Sequence, residues 1–474
     1  MIRRYGKPDL HAPQRADQRS EKDSRERTRN RDKSAIQAQA RLKLMWHREF
    51  FERRFDFKLA HAYLDYRLNC EICYVGGEMG LQRRSFILAT ASVLMDAQTP
   101  VSDQISLGVI GSGSRGTFVM TVFQKDPSVR VGAICDVYEP NLEKALSLAS
   151  KDHPKAYRDY KQLLDDKSVQ AVLIATPEHW HHRMVLDALA AGKDIYIEKP
   201  LCQTPEQGVE LVDAQKKSKS IVQVGMQRRS YDLYLDARKL VAAGTLGNVR
   251  MVRSWWLNNS VNGSAPKKLE GPLDWEQWQG PAARHELDAN RFRNWRLYSD
   301  YAGGIVADQG AHVFDGIHLL MNASYPKAVN ASGGRPHVLG VDTPESVTVI
   351  AEYPEDFLGQ FTVNYAAMHY QTKNDQLNQL DGDRARMDVS REEYKVFVEG
   401  HEDAPSMSGK SARGFGYATD LHVANFLECV RTRKTPTAPI YLGFQAALVV
   451  QMANISMKLG RRVRWDAGAR RVLG

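Results

Sequence analysis

The sequence predicts an α/β fold whose regular half is a doubly wound parallel sheet. Three observations carry this expectation. Between residues 105 and 225, short apolar runs of strand length alternate with stretches of helical character. A glycine-rich loop, GSGSRG, separates the first such strand from the first helix. An acidic residue, Asp136, ends the second strand twenty residues after the last of those glycines.

The first strand is ISLGVIG, and its helix continues as TFVMTVFQKDP. In the loop between them Gly111 permits a tight turn, and Gly113 lets backbone approach a phosphate. Gly116 lets the helix close on the strand, so that its N-terminus, with Ser114 and Arg115, faces the anion. The second strand, VRVGAICD, leaves the Asp136 carboxylate where it can accept from ribose hydroxyls. This is the order that a dinucleotide-binding fold requires. Asp136 repels a 2′-phosphate and the following VYEP supplies no base, so NAD is favoured. Arg115 keeps NADP open.

The alternation continues through helix NLEKALSLASK, a connection through YRDYKQLLDD, strand VQAVLIAT, helix HHRMVLDALAAG and strand DIYIEKP. Helix TPEQGVELVDAQKKS and strand IVQVGM complete it. Ligands bind beyond the carboxyl ends of such strands. That places Thr176, Pro177, His179, Trp180 and His182 of TPEHWHH, with Glu198 and Lys199 of EKP, at the cofactor edge. A histidine at a helix start is also an ordinary cap.

From about residue 226 the rhythm stops. NVRMVRSWWL, ESVTVIAEYP, GQFTVNYAA and YKVFVEG are strands; ATDLHVANFLECVRTRK and GFQAALVVQMANISMKLG are helices. Val347, Val349, Ala351 and Tyr353 alternate with other residues, as in a sheet buried on one face. Trp255, Trp256, Trp275, Trp278 and Trp295 crowd into one region beside Asn258, Asn259, Asn294, Arg293 and Arg296. Such rings suit the apolar faces of a sugar, and equally the packing of a long loop.

The stretch GGIVADQGAH sets Asp308 and His312 four residues apart, on one face of a helix. Alone it is an ordinary surface pair. Together, GVIGSGSRG, ATPEHWHH, EKPL and GGIVADQGAH, in this order, resemble the glucose–fructose oxidoreductase / inositol dehydrogenase (Gfo/Idh/MocA) family of NAD(P)-dependent sugar oxidoreductases, across about residues 104 to 465. The resemblance implies a Rossmann domain joined to an α+β domain on a large, mostly antiparallel sheet. It also implies that Lys199, Asp308 and His312 form the catalytic group. In such chemistry His312 takes the hydroxyl proton as hydride leaves, Asp308 steadies the imidazolium, and Lys199 supports the substrate oxygen. Asp315 and His318, further along the helix, are expected to pack or support.

The expected function is oxidation of a secondary alcohol on a sugar, cyclitol or glycoside with NAD. One alternative is a glycosidase that oxidises its sugar transiently. That path needs a second base, for which His179, His182 and Tyr301 are available. Another is a binding protein that kept the fold. The expected partners are a small carbohydrate and further copies of the chain.

Charge argues against nucleic acid. The chain of 474 residues carries a net charge of +9. Residues 1–78 hold 18 Lys/Arg and 12 Asp/Glu, a net of +6. The remainder is therefore near neutral, without a basic face. Residues 1–34 are too polar and charged to fold, and 1–78 are expected to be a disordered or mis-assigned extension. Residues 79–103 then supply a signal and linker: Arg83 and Arg84, followed by an apolar run to Met95, resemble a twin-arginine export signal. The other reading of that run is a buried helix. No other segment is expected to span a membrane. Cys70 and Cys73 have no second pair to complete a zinc site, and Cys135, Cys202 and Cys429 are scattered, so neither metal nor disulfide is expected.

Overall fold

β1 (Ile105–Ile110) and β2 (Val129–Cys135) are buried along almost their whole length, because helices cover both faces of a parallel sheet. With β3 (Lys155–Tyr157), β4 (Ala171–Ile174), β5 (Asp194–Ile197) and β6 (Val222–Val224) they form a six-stranded sheet of order β3-β2-β1-β4-β5-β6. Every neighbouring pair in it is parallel. The strand order reverses between β1 and β4, which opens a crevice at their carboxyl ends. The structure is a computed structural model and describes residues 104–259, 268–336, 338, 340–370 and 375–474. The paired arginines and their apolar run, the upstream extension and Cys70–Cys73 lie outside those residues.

The crossover helices are α1 (Ser114–Phe123), α2 (Glu139–Leu148), α3 (Tyr160–Asp165), α4 (His181–Ala190) and α5 (Pro205–Lys216). The start of α5 shows how local sequence sets an end: the Thr204 hydroxyl accepts from the Gln207 N–H, and the Gln207 side chain bonds back.

The second half begins with α6 (Asp232–Ala242) and β7 (Val249–Leu257), then two short helices, α7 (Trp275–Gln279) and α8 (Ala289–Arg293), and the long α9 (Gly304–Met321). Then follow β8 (Ala328–Gly333), β9 (Ser346–Glu352), β10 (Leu358–Asn364), β11 (Gln376–Gly382), β12 (Ala385–Val389), β13 (Glu393–Val398) and β14 (Met407–Lys410). The chain closes with α10 (Tyr417–Thr432), α11 (Ile440–Leu459), β15 (Val463–Asp466) and β16 (Arg471–Leu473). The ten strands form one sheet, ordered β14-β13-β12-β11-β7-β10-β9-β8-β15-β16, antiparallel throughout except for the parallel pair β7–β10. Val347, Val349, Ala351 and Tyr353 all face its covered side.

Two features differ from the sequence expectation. Strands β8, β11, β12, β14, β15 and β16 were not legible as strands. In β11 the covered positions include Gln376 and Asn378, which breaks the apolar alternation; Asn378 is satisfied by Ser254 and Tyr234. The second difference is α10. Sequence order puts it in the second half, yet its Val423, Phe426 and Leu427 pack with Phe123 and Tyr196 in the core of the parallel sheet. α11 is long and apolar enough to cross a membrane by length and composition; 72% of that window is buried inside the protein.

α9 is the element that positions the site. Nearly every residue along it is buried, and it packs against α6, α11 and β10.

Candidate active site

The glycine loop does what its spacing requires. Gly111 has φ +84°, and a Cβ there would press on the Ala175 backbone at 2.9 Å. At Gly116 a Cβ would lie 1.9 Å from the Gly111 carbonyl oxygen, so only glycine lets α1 approach β1 this closely. Gly113 instead borders the crevice with Ser114 and Arg115. Asp136 stands at the end of β2, facing the same crevice. Its Oδ2 accepts from the Ser112 N–H at 2.7 Å and its Oδ1 from the Tyr138 N–H at 2.9 Å, which fixes the carboxylate. An open glycine loop at a helix N-terminus, facing a fixed carboxylate, fits a dinucleotide with free ribose hydroxyls. Arg115 borders the crevice as well, with its Nε donating to Glu198 Oε1 at 2.7 Å. Glu198 is thereby a brace for the loop.

The opposite wall comes from the second half. Gln277, Trp278, Phe292, Arg293, Trp295 and Arg296 line the crevice across from the glycine loop. This wall is fastened to the parallel domain just after Asp136, where Asp274 N–H donates to Val137 O at 2.9 Å and Glu139 N–H to Pro272 O at 3.0 Å. Tyr138, Trp278, Phe292, Tyr298 and Tyr301 pack beneath it. Of the five clustered tryptophans, Trp275 and Trp278 stack on each other at 4.8 Å, whereas Trp295 lines the crevice and Trp256 lies against His312.

The TPEHWHH loop splits by role. Thr176, Pro177 and Trp180 border the crevice. His179 does not: it is 3% exposed, with Nε2 2.9 Å from Trp278 O, and burial pushes its imidazole down to about 4. His182 is also turned away, pairing with Glu210 of α5 at 2.9 Å. Both depart from the expected cofactor contacts, because the 3-10 turn Glu178–Trp180 before α4 buries His179 and the first turn of α4 rotates His182 outward. The histidine between them went unnoticed in the sequence. His181 sits 2.7 Å from Pro200 O and 3.0 Å from Thr176 O, stapling the two loops together.

Lys199, after β5, reaches α9. Its Nζ donates to Asp308 Oδ1 at 2.5 Å and to the Asp308 carbonyl at 2.8 Å. Arg296 Nε lies 3.3 Å from the same carboxylate, and Gln309 Nε2 donates to its other oxygen at 2.8 Å. Burial opposes charge on Asp308, but Lys199 and Arg296 outweigh it and hold the carboxyl well below the usual carboxylate range. His312, one turn on, is half-buried, and its ring makes no hydrogen bond among the described residues. It stacks near Trp256 at 6.2 Å and 29°. Burial, then the cations Lys199 and Arg228, push the imidazole well below its ordinary value, with Asp308 pulling the other way. Asp308 therefore acts on His312 through its field, and the Trp256 ring lies alongside the imidazole.

Asp315 and His318 support the helix as expected. Asp315 binds Arg229 at 2.5 Å and His318 Nε2 lies 2.8 Å from the Tyr353 hydroxyl. Two charged groups here carried no motif. Glu178 accepts the N–H of Gly303, the residue before α9, at 2.9 Å; burial pushes its carboxyl up to about 7. Arg228 is 1% exposed and donates to the His312 carbonyl at 2.6 Å.

Fold and site together define a two-domain, dinucleotide-binding oxidoreductase. Residues 105–226 match the oxidoreductase family with an NAD-binding Rossmann fold, GFO/IDH/MocA, and residues 234–388 match the GFO/IDH/MocA C-terminal domain. The chain belongs to this family, and its cofactor is NAD. It is 27% identical over 261 residues to trans-1,2-dihydrobenzene-1,2-diol dehydrogenase of Bos taurus, covering 55% of this chain and 68% of that one. It is 25% identical over 249 residues to inositol 2-dehydrogenase/D-chiro-inositol 3-dehydrogenase of Lactiplantibacillus plantarum, covering 52% and 63%. A levoglucosan dehydrogenase solved with NADH and levoglucosan shares the fold at a TM-score of 0.61 and 19% identity, over 76% of this chain and 99% of that one.

Proposed function

We propose that this protein oxidises a secondary alcohol of a sugar, cyclitol or glycoside. The observation that carries the proposal is the Lys199–Asp308 contact at 2.5 Å beside an imidazole whose nitrogens have no hydrogen-bond partner among the described residues. Bound in the crevice, NAD supplies the hydride acceptor. His312, neutral in this field, offers a ring nitrogen to the substrate hydroxyl and takes its proton. Lys199, anchored by Asp308, donates to the same oxygen as negative charge develops there. Trp180 and Trp295 line the crevice beside Arg296 and present apolar faces to a bound ligand. The names of the diol and inositol dehydrogenases similar to this chain support a vicinal hydroxyl substrate.

The glycosidase alternative needs a base across the ring. His179 is bonded to Trp278 O, His182 pairs with Glu210, and Tyr301 is buried against Trp278. None of these three favours it. The proposal also includes export by the twin-arginine route, resting on Arg83 and Arg84, and self-association of the chain. Incubation of the protein with NAD and a panel of polyols, sugars and aryl glycosides tests it. NADH should accumulate with product; aglycone release without NADH would overturn the dehydrogenase in favour of the glycosidase.

A further inference from the structure

Asp308, His312 and Asp315 project from one face of α9, and cations outnumber the two acids. Asp308 meets Lys199 at 2.5 Å and Arg296 at 3.3 Å. Asp315 takes Arg229 at 2.5 Å, and Arg228 adds a second positive neighbour. Four cations thus face two carboxylates around His312. The nearby Arg115–Glu198 pair is balanced. Glu178 is a further acid near Asp308; pushed up to about 7, it removes at most one charge near neutrality.

Arg228 makes the imbalance acute. It is 1% exposed, and the rings of Tyr234, Trp256 and Phe415 lie within 5.8 Å of its guanidinium. Apart from the Nη1 bond to His312 O, its Nε and Nη2 have no acceptor among the described residues. A buried cation is costly unless an opposite charge accompanies it. Arg296 is the cation placed to meet a ligand. It borders the crevice, stacks over Trp295 at 4.1 Å, and is held at the reacting end by Asp308. A half-exposed guanidinium with a fixed plane presents a fork suited to a carboxylate.

We infer that the alcohol oxidised here carries a carboxylate: the substrate is a sugar acid or related polyhydroxy acid, read by Arg296 with the Arg228 charge behind His312. The inference rests on the oxidoreductase proposal and narrows its substrate. The carboxylate itself does not react. The carbinol loses hydride to NAD and its hydroxyl proton to His312, leaving a keto acid.

The test is calorimetric titration of the NAD-loaded protein with aldonates and uronates, each beside its neutral polyol or sugar. The acids should bind at least about tenfold more tightly, the scale of one charge-assisted contact, and added salt should reduce the difference. Arg296→Leu should abolish most of the preference and Arg296→Lys should restore part of it. Neutral ligands binding as tightly as acids, or a preference untouched by Arg296→Leu, would overturn the inference. NADH formation in the same mixtures reports separately: none from either class overturns the oxidoreductase proposal, while the binding difference still decides the charge.

Discussion

Lys199 and Asp308, 109 residues apart, meet at 2.5 Å and join the loop after β5 to the helix that carries His312. The contact pairs a buried carboxylate with an ammonium group one helical turn before His312. Lys199→Met should lower the rate of hydride transfer by at least about 10², as expected when a donor to a developing oxyanion is lost. Single-turnover absorbance of NADH measures it. A variant impaired only in KM would make Lys199 a binding residue instead.

His312→Asn should reduce turnover by about 10² or more while NAD still binds. The pH profile carries a sharper expectation. Burial, Lys199 and Arg228 disfavour the imidazolium, so the accepting form persists below the ordinary imidazole value. The acidic limb of kcat/KM should therefore fall below pH ~6.5. Arg228→Met removes a cation and should move that limb upward. A wild-type limb above 6.5 would mean that another group accepts the proton.

Cofactor choice should rest on Asp136. Replacing Asp136 with Ser and Val137 with Arg removes a repulsive charge and adds an attractive one, which should weaken NAD and admit NADP. Equilibrium binding of both nucleotides checks this; an unmodified protein that already prefers NADP would contradict it.

Stability should fall in mild acid because of buried histidines. Burial pushes His179 and His422 down to about 4 and His318 to about 3. Folded values below the unfolded value of ~6.5 mean that the unfolded chain binds more protons between pH 6.5 and 4. The stabilisation is present above pH 6.5 and lost as pH falls through that window, roughly 2 kcal/mol per histidine by pH 5. Tm measured from pH 8 to 5 should drop steeply, and His318→Gln should flatten the drop. A flat Tm over that range would show that these rings are already accessible to protons.

Arg83 and Arg84 should be required for export. Expression from Met79 with both changed to Lys should leave the protein inside the cell. Equal secretion of the two forms would point to another route.

The parallel half was legible because its information is local. Strand, GSGSRG, helix and Asp136 follow within about thirty residues, and each glycine answers a steric demand of its own turn. The helix carrying Asp308 and His312 was legible for the same reason. The second sheet was legible in only four of its ten strands. Its strands pair across long separations, and β11 buries Gln376 and Asn378 where a pattern search expects apolar residues.

The dinucleotide fold, the acid at the end of β2 and the three candidate catalytic residues are written in the chain itself, since each lies in a short motif. Tertiary structure decided what those residues touch. It gave Asp308 to Lys199 rather than to His312, sealed His179 under Trp278 and placed Arg228 behind the His312 peptide. None of these could be read from the chain, because partners are chosen by packing between segments far apart. The low-dielectric interior so formed sets the charge each group can bear.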